Sequence, residues 1–133
     1  MAISKSFIDG KRFFMKEWGD QDMSIHSMIV IDRCLLMASI TNLDSTVFHI
    51  AGWIHDIGRK DDKEKHHVFG IKYLKQFLKT HFEYRYREKE IKDCILNHRT
   101  GMMPKTMYGK IFQMADKIAL LDNRWIEYKK MKK

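Results

Sequence analysis

Residues 51–58 read Ala51-Gly52-Trp53-Ile54-His55-Asp56-Ile57-Gly58, an apolar helical run that ends on two adjacent ionisable groups. Neighbouring positions of a helix point roughly 100° apart, so an imidazole and a carboxylate placed side by side can face one ion from two directions. Gly52 lies a turn before both, and with no side chain there another helix or a ligand can come close. The run opens near Asp44 or Ser45, reaches about Ile57, and gives way at Gly58 to a charged loop over residues 59–65.

Outward from this stretch, apolar residues at three- and four-residue spacing mark further helices. Upstream, one runs from about Ser4 to Trp18, and a second, capped by Asp22 or Ser24, runs to about Ile40. Downstream, helices are expected over about His66–Thr80 and Arg87–Arg99, then a loop at Gly101–Pro104. A last helix starts near Thr106, carries Ile111, Met114, Ala115, Ile118, Leu121 and Trp125, and frays into Lys129–Lys133. The expectation is an all-α fold, a single-domain compact bundle of about six helices spanning 1–133.

Several of these helices carry an ionisable group within the stripe that should face the core. His26 leads into Ile29, Val30, Cys34 and Met37; His66 shares a face with Gly70, Tyr73 and Phe77; His98 closes the stripe of Ile91, Cys94 and Ile95. Asp116 has Phe112 and Gln113 one turn before it and Ala119 and Leu120 one turn after, which leaves its carboxylate little access to water. An unpaired buried carboxylate costs several kcal/mol, so Asp116 needs a cation, whether arginine, lysine or metal. Taken singly, each histidine could equally be a hydrogen-bonded core residue. Four inward imidazoles and two carboxylates are hard to satisfy pairwise, whereas one central cation satisfies several together. Nitrogen and oxygen donors without thiolate suit an open, hydrated site for Mn, Fe, Co, Mg or Ni, one or two ions per chain. His49, His67 and His81 fall outside this scheme and read as surface or supporting residues.

Composition narrows the class. One domain accommodates 133 residues at 44% hydrophobic content, and one proline with seven glycines is too few for a sandwich or barrel. Cys34 and Cys94 lack CxxC spacing and read as buried thiols. The opening residues, interrupted by Lys5, Asp9, Lys11 and Arg12, offer neither a signal core nor a membrane span, so a cytoplasmic protein is expected. A formal charge of +8 draws in small phosphorylated molecules, and nucleic acid as well.

The ordered set His26, His55-Asp56 and Asp116 resembles the signature of the HD-domain superfamily of metal-dependent phosphohydrolases. The surroundings agree: Val30 and Ala38 after His26, Ile57-Gly58-Arg59 after the pair, and Ala115 and Lys117 about Asp116. The resemblance covers about residues 24–122 and implies a divalent metal held by these four residues. It gives His66 and His98 to a second metal or to substrate phosphate. Asp56 becomes the catalytic residue, holding metal and accepting a proton from water, and Arg59 and Arg99 are placed to grip phosphate oxygens. The substrate class implied is a phosphomonoester or phosphodiester in a nucleotide or other small phosphorylated metabolite.

Arg99-Thr100-Gly101-Met102-Met103 lacks a second histidine and any Gly-Tyr-Pro motif, which argues against cyclic-dinucleotide hydrolysis, and no attached domain suggests a (p)ppGpp hydrolase. Two rival readings are a metal-containing nucleotide sensor that does not hydrolyse, and a basic nucleic-acid-binding helical module suggested by Phe82-Glu83-Tyr84-Arg85-Tyr86-Arg87. Basic residues are spread over nearly every segment, so a nucleic-acid partner is not expected. Oligomeric state is open.

Overall fold

In the computed structural model, which describes residues 4–132, the chain is all-helical. Seven α-helices run in the order α1 (Lys5–Glu17), α2 (Gln21–Met37), α3 (Ser45–Ile54), α4 (His66–Thr80), α5 (Glu88–Leu96), α6 (Met107–Ala119) and α7 (Asn123–Met131). Two 3₁₀ segments, Ile57–Lys60 and Phe82–Arg87, precede α4 and α5.

The bundle is organised on α3. Every residue from Val47 to Ile54 is buried, as an all-round apolar helix requires. Its N-terminus is capped by the Asp44 carboxylate, which accepts a hydrogen bond from Thr46 N–H at 3.0 Å. On one side Trp53 packs against Phe7 and Phe14 of α1, with ring centroids 5.5 Å apart in each pair. On another side α2 lies so close that a Cβ on Gly52 would meet Ile31 Cγ1 at 2.3 Å. The close approach expected at Gly52 is therefore made by a helix, and it carries His26 towards His55. Gly58 acts similarly for α4: a Cβ there would lie 2.3 Å from the His66 carbonyl oxygen, so the 3₁₀ turn sits directly on the first turn of α4.

Element boundaries depart from the sequence reading in ways that have physical causes. The third helix does not run to Ile57; it ends at Ile54, with His55 as its C-cap and Asp56 at φ −103°, ψ −4° in the turn that follows. His55 and Asp56 thus leave the helix rather than straddling its face. The second helix is capped by Asp20, not Asp22 or Ser24, through a 2.9 Å bond from Met23 N–H. The fifth stops at Leu96, which leaves His98 beyond its end. The expected single helix from Thr106 to Trp125 is broken, giving seven helices among the described residues instead of about six. The break is made by Asp122, whose carboxylate accepts from Arg124 N–H at 2.8 Å and is bonded across the bundle by Arg33 Nε at 2.9 Å. Lys133, the last residue of the terminal lysine cluster, lies outside the described residues. No described helix is long and apolar enough to cross a membrane.

Asp93 of α5 is the knot that ties the loop after α5 to the start of α6. Its carboxylate accepts from Thr106 N–H at 2.9 Å, Thr106 Oγ1 at 2.7 Å, Lys105 N–H at 3.1 Å and Asn97 Nδ2 at 2.8 Å. Burial works against its charge, but the Thr106 and Lys105 donors outweigh it and hold the carboxyl below its ordinary value. Because the folded value is depressed, this stability is present above the unfolded carboxyl value of about 3.9 and is lost as pH falls through the folded one. Asp93→Asn should lower unfolding free energy in urea by about 1–3 kcal/mol at pH 7. The gap from the parent should narrow below about pH 4, and a pH-independent gap would show that charge is not the cause.

Candidate metal centre

Four imidazoles and two carboxylates converge where α2, the α3 exit, the start of α4, the residues after α5, and α6 meet. His26, His55, Asp56, His66 and His98 are all buried, at 5%, 0%, 3%, 5% and 3% exposure. Asp116 is less enclosed than its apolar neighbours suggested: its side chain keeps 21% exposure and marks the open side of the cluster.

Local backbone geometry aims three of the rings. His55 Nδ1 lies 2.9 Å from the Gly52 carbonyl, His66 Nδ1 2.7 Å from that of Lys63, and His98 Nδ1 2.6 Å from that of Ile95. In each case the acceptor is three residues back: Gly52 and Ile95 lie in the last turns of α3 and α5, where carbonyls are left free, and Lys63 lies in the loop before α4. These three rings therefore turn Nε2 to the centre, where a neutral ring that donates from Nδ1 carries its lone pair. The sequence reading missed these carbonyls, although the i−3 spacing recurs in all three. His26 is different, since its Nδ1 is buried without a partner. Its ring is positioned instead by Asp116 and by the edge of Trp125 from α7, at a centroid distance of 5.6 Å.

Two groups of ligand-type atoms result, each with its atoms within 4.8 Å of one another: His26, His55, Asp56 and Asp116, and Asp56, His66 and His98. Asp56 belongs to both. Its Oδ2 lies 3.1 Å from His55 Nε2 and 3.6 Å from His26 Nε2, while its Oδ1 lies 3.4 Å from His66 Nε2 and 3.9 Å from His98 Nε2. Asp116 Oδ1 closes the first group at 2.9 Å from His26 Nε2 and 3.2 Å from His55 Nε2.

The charges are tightly set. Burial favours a neutral His55, but Asp56 and Asp116 overcome it and push its pKa up to about 10. Burial likewise opposes ionisation of both carboxylates, yet the imidazoles, His55 foremost at Asp56 and His26 with His55 at Asp116, hold them well below the usual range. Burial and the neighbouring His55 bring His98 down to about 4, and burial also lowers His66.

The donor set fits a cation. His66 Nε2 and His98 Nε2 face each other at 2.9 Å while each ring's Nδ1 is occupied by a carbonyl. With both rings neutral, that contact sets lone pair against lone pair, an arrangement an ion between the rings would convert from repulsive to attractive.

Arg59 Nε donates to Asp56 Oδ1 at 3.1 Å, on the outer side of the carboxylate that links the groups. Arg99 is exposed at the rim, where its guanidinium bonds the Glu64 carbonyl and lies 3.3 Å from His67 Nδ1. His67 is thus a rim residue. His49 and His81 are brought nowhere near the centre. His49 is no surface residue: it is 6% exposed, with Nδ1 2.8 Å from Ser6 Oγ. His81 stacks on Phe77 at 4.3 Å. Cys34 and Cys94 are buried free thiols, as expected, and burial raises the pKa of both.

A helical bundle with a histidine, a His-Asp pair and a distant aspartate drawn to one point is the arrangement of the HD domain, and the model of that family matches residues 23–121. The chain belongs to the HD-domain family, a family of metal-dependent phosphohydrolases. It is 28% identical over 113 residues to ribonuclease Y of Thermus thermophilus, covering 83% of this chain and 18% of that protein. It is 30% identical over 102 residues to ribonuclease Y of Mycoplasma genitalium, covering 74% of this chain and 19% of that one. A shorter stretch of 34 residues is 50% identical to a deoxyguanosinetriphosphate triphosphohydrolase-like protein of Caldanaerobacter subterraneus, covering 26% of this chain and 10% of that one. The chain therefore spans about a fifth of the length of the ribonuclease Y relatives it matches. No solved structure shows significant similarity to it.

A site that binds cations only when folded is stabilised by them. Manganese at a hundred times its dissociation constant should add about 2.7 kcal/mol, or roughly 10 °C in Tm for a domain of this size. Asp116→Asn keeps the shape but removes a charge, and should lose most of that shift in a thermal melt with and without EDTA. An undiminished shift would make Asp116 a salt-bridge residue only.

Proposed function

We propose that this chain is a metal-dependent phosphohydrolase whose divalent ions are held by His26, His55, Asp56 and Asp116 on one side and by Asp56, His66 and His98 on the other. The observation that carries the reading is Asp56, whose two oxygens face two separate sets of imidazole nitrogens. A divalent metal there supplies an acidified water and a Lewis acid for phosphoryl oxygens.

The rest falls to the chain's own residues. The Nδ1 bonds of His55, His66 and His98 to backbone carbonyls fix ring orientation in advance, so little reorganisation accompanies binding. Asp56 is the catalytic carboxylate: it holds both halves of the centre together and is placed to receive the hydrogen bond of the attacking water. A carboxylate that already holds metal is a weak base, so it orients the water's proton rather than keeping it. Arg99, exposed at the rim, and Arg59, which is 40% exposed at the side chain, offer guanidinium donors for phosphate oxygens. The 21% exposure of Asp116 supports substrate entry from the α6 side.

The substrate class is a phosphate ester of a nucleotide or another small phosphorylated metabolite. The names of the relatives, a ribonuclease and a deoxynucleoside triphosphohydrolase-like protein, support nucleotide chemistry. The test is a panel of nucleoside mono-, di- and triphosphates, dinucleotides and generic phosphoesters, assayed with Mn, Fe, Co, Mg and Ni. Phosphate-ester hydrolysis dependent on metal is expected, and Asp56→Ala should lower it by at least about a hundredfold while circular dichroism remains helical. Nucleotide binding without turnover on any member of the panel would instead favour a sensor.

A further inference from the structure

Away from the metal centre, the outer faces of α4 and α5 form a furrow whose composition is lopsided. Its central part is lined by Lys72, Lys75, Lys79 and Lys92 together with the apolar Val68, Ile71 and Leu96. At one end Lys75 and Lys79 also border a depression that contains Phe82, Arg85 and Glu88. At the other, Lys92 and Leu96 border one that contains Lys89, Lys105 and Asp93. The shared residues make these depressions one continuous surface.

The positive charge of this surface is not spent internally. Among the described residues, Lys72 reaches Asp61 at 3.9 Å, whereas Lys75, Lys79, Arg85, Lys89, Lys92 and Lys105 have no carboxylate within salt-bridge distance. Of the acids present, Asp93 is buried and committed to its four donors, which leaves Glu88. Residues that looked scattered along the sequence, from positions 72 to 105, are gathered here by the antiparallel pairing of α4 with α5.

The segment Phe82–Arg87 divides its residues between two roles. Tyr84 is buried, and Tyr86 and Arg87 are bonded to Asp44. Phe82 is left 64% exposed at the furrow's end, with the Arg85 guanidinium 5.6 Å from its ring centroid. A large aromatic ring in water beside a row of unpaired cations calls for a ligand that is both polyanionic and aromatic.

We propose that the α4–α5 furrow binds single-stranded nucleic acid, with the sugar-phosphate backbone along the lysines and an unpaired base stacked on Phe82. Lys72, Lys75 and Lys79 rise along α4 over about 10 Å, a span that several successive phosphates can match. A free aromatic face serves unpaired bases, which selects single strands over duplex. Of the apolar residues along the furrow, Ile71 and Leu96 are half-buried and Val68 and Phe82 are exposed, less apolar surface than insertion into a lipid layer uses, which fits a strand better than a lipid surface. The proposal takes from the hydrolase reading only the nucleotide character of the ligand, and the furrow is separate from the metal ligands.

The probe is a fluorescent uridylate dodecamer with 2′-O-methyl sugars and phosphorothioate links, which resists hydrolysis, so binding is measured whether or not the chain is an enzyme. Anisotropy titrations of the full-length chain should show Lys75→Glu/Lys79→Glu binding at least tenfold more weakly, with a log–log salt slope flatter by about 1.4. Phe82→Ala should weaken binding about fivefold or more. Lys11→Glu/Lys16→Glu on α1, which changes net charge equally, should change it less than twofold. These side chains are exposed, and Lys75→Gln/Lys79→Gln repeats the test with a milder change if the reversal unfolds the chain. Absent binding, equal loss in the α1 and furrow variants, an unaffected Phe82→Ala, or charge-dependent capture by phosphatidylglycerol vesicles but not by the dodecamer would each overturn the proposal.

Discussion

The structure depends on one unfavourable act, the burial of the Asp56 carboxylate at 3% exposure among four imidazoles. A carboxylate in that position is tolerable only with positive charge on both sides. Oδ2 faces His55 and His26, and Oδ1 faces His66, His98 and Arg59. These groups come from distant parts of the chain, so the demand of a single buried charge bears on how α2, α3, α4 and the residues after α5 are brought together. The same demand explains why His66 and His98 are held with their ring nitrogens at 2.9 Å, a contact that makes chemical sense around a cation.

The apolar scaffold meets this demand through close approaches rather than through polar bonds alone. Gly52 lets α2 press Ile31 against α3 and so brings His26 to the cluster, while Gly58 seats the turn after Asp56 against the His66 carbonyl. Backbone carbonyls at the ends of α3 and α5 and in the loop before α4 then aim three of the rings. His55 and His98 follow the last turns of α3 and α5, where carbonyls are left free, and His66 opens α4, where the Lys63 carbonyl of the preceding loop faces its Nδ1.

Much of this was legible in the sequence because ionisable residues in apolar stripes are costly and therefore conspicuous. His26, His55, Asp56, His66, His98 and Asp116 could each be picked out that way, and the structure brings all six to one place. What was not legible depends on partners far away in the chain. The break before α7 is made by Asp122, which caps α7 through Arg124 N–H and is also held by Arg33, 89 residues earlier. Trp125 continues the apolar spacing of α6, so nothing local announces that it belongs to a separate helix resting on His26. The basic furrow is likewise invisible until α4 and α5 lie side by side, because its cations come from two helices and two flanking segments.

The central claim is that Asp56 is the shared ligand of two cations, and the most direct test is anomalous X-ray scattering from crystals grown with manganese. The account predicts two peaks per chain about 3.5–4 Å apart, with Asp56 between them. One should lie among His26, His55 and Asp116, the other beside His66 and His98. A single peak, or peaks that leave Asp56 without contact to metal, would contradict it.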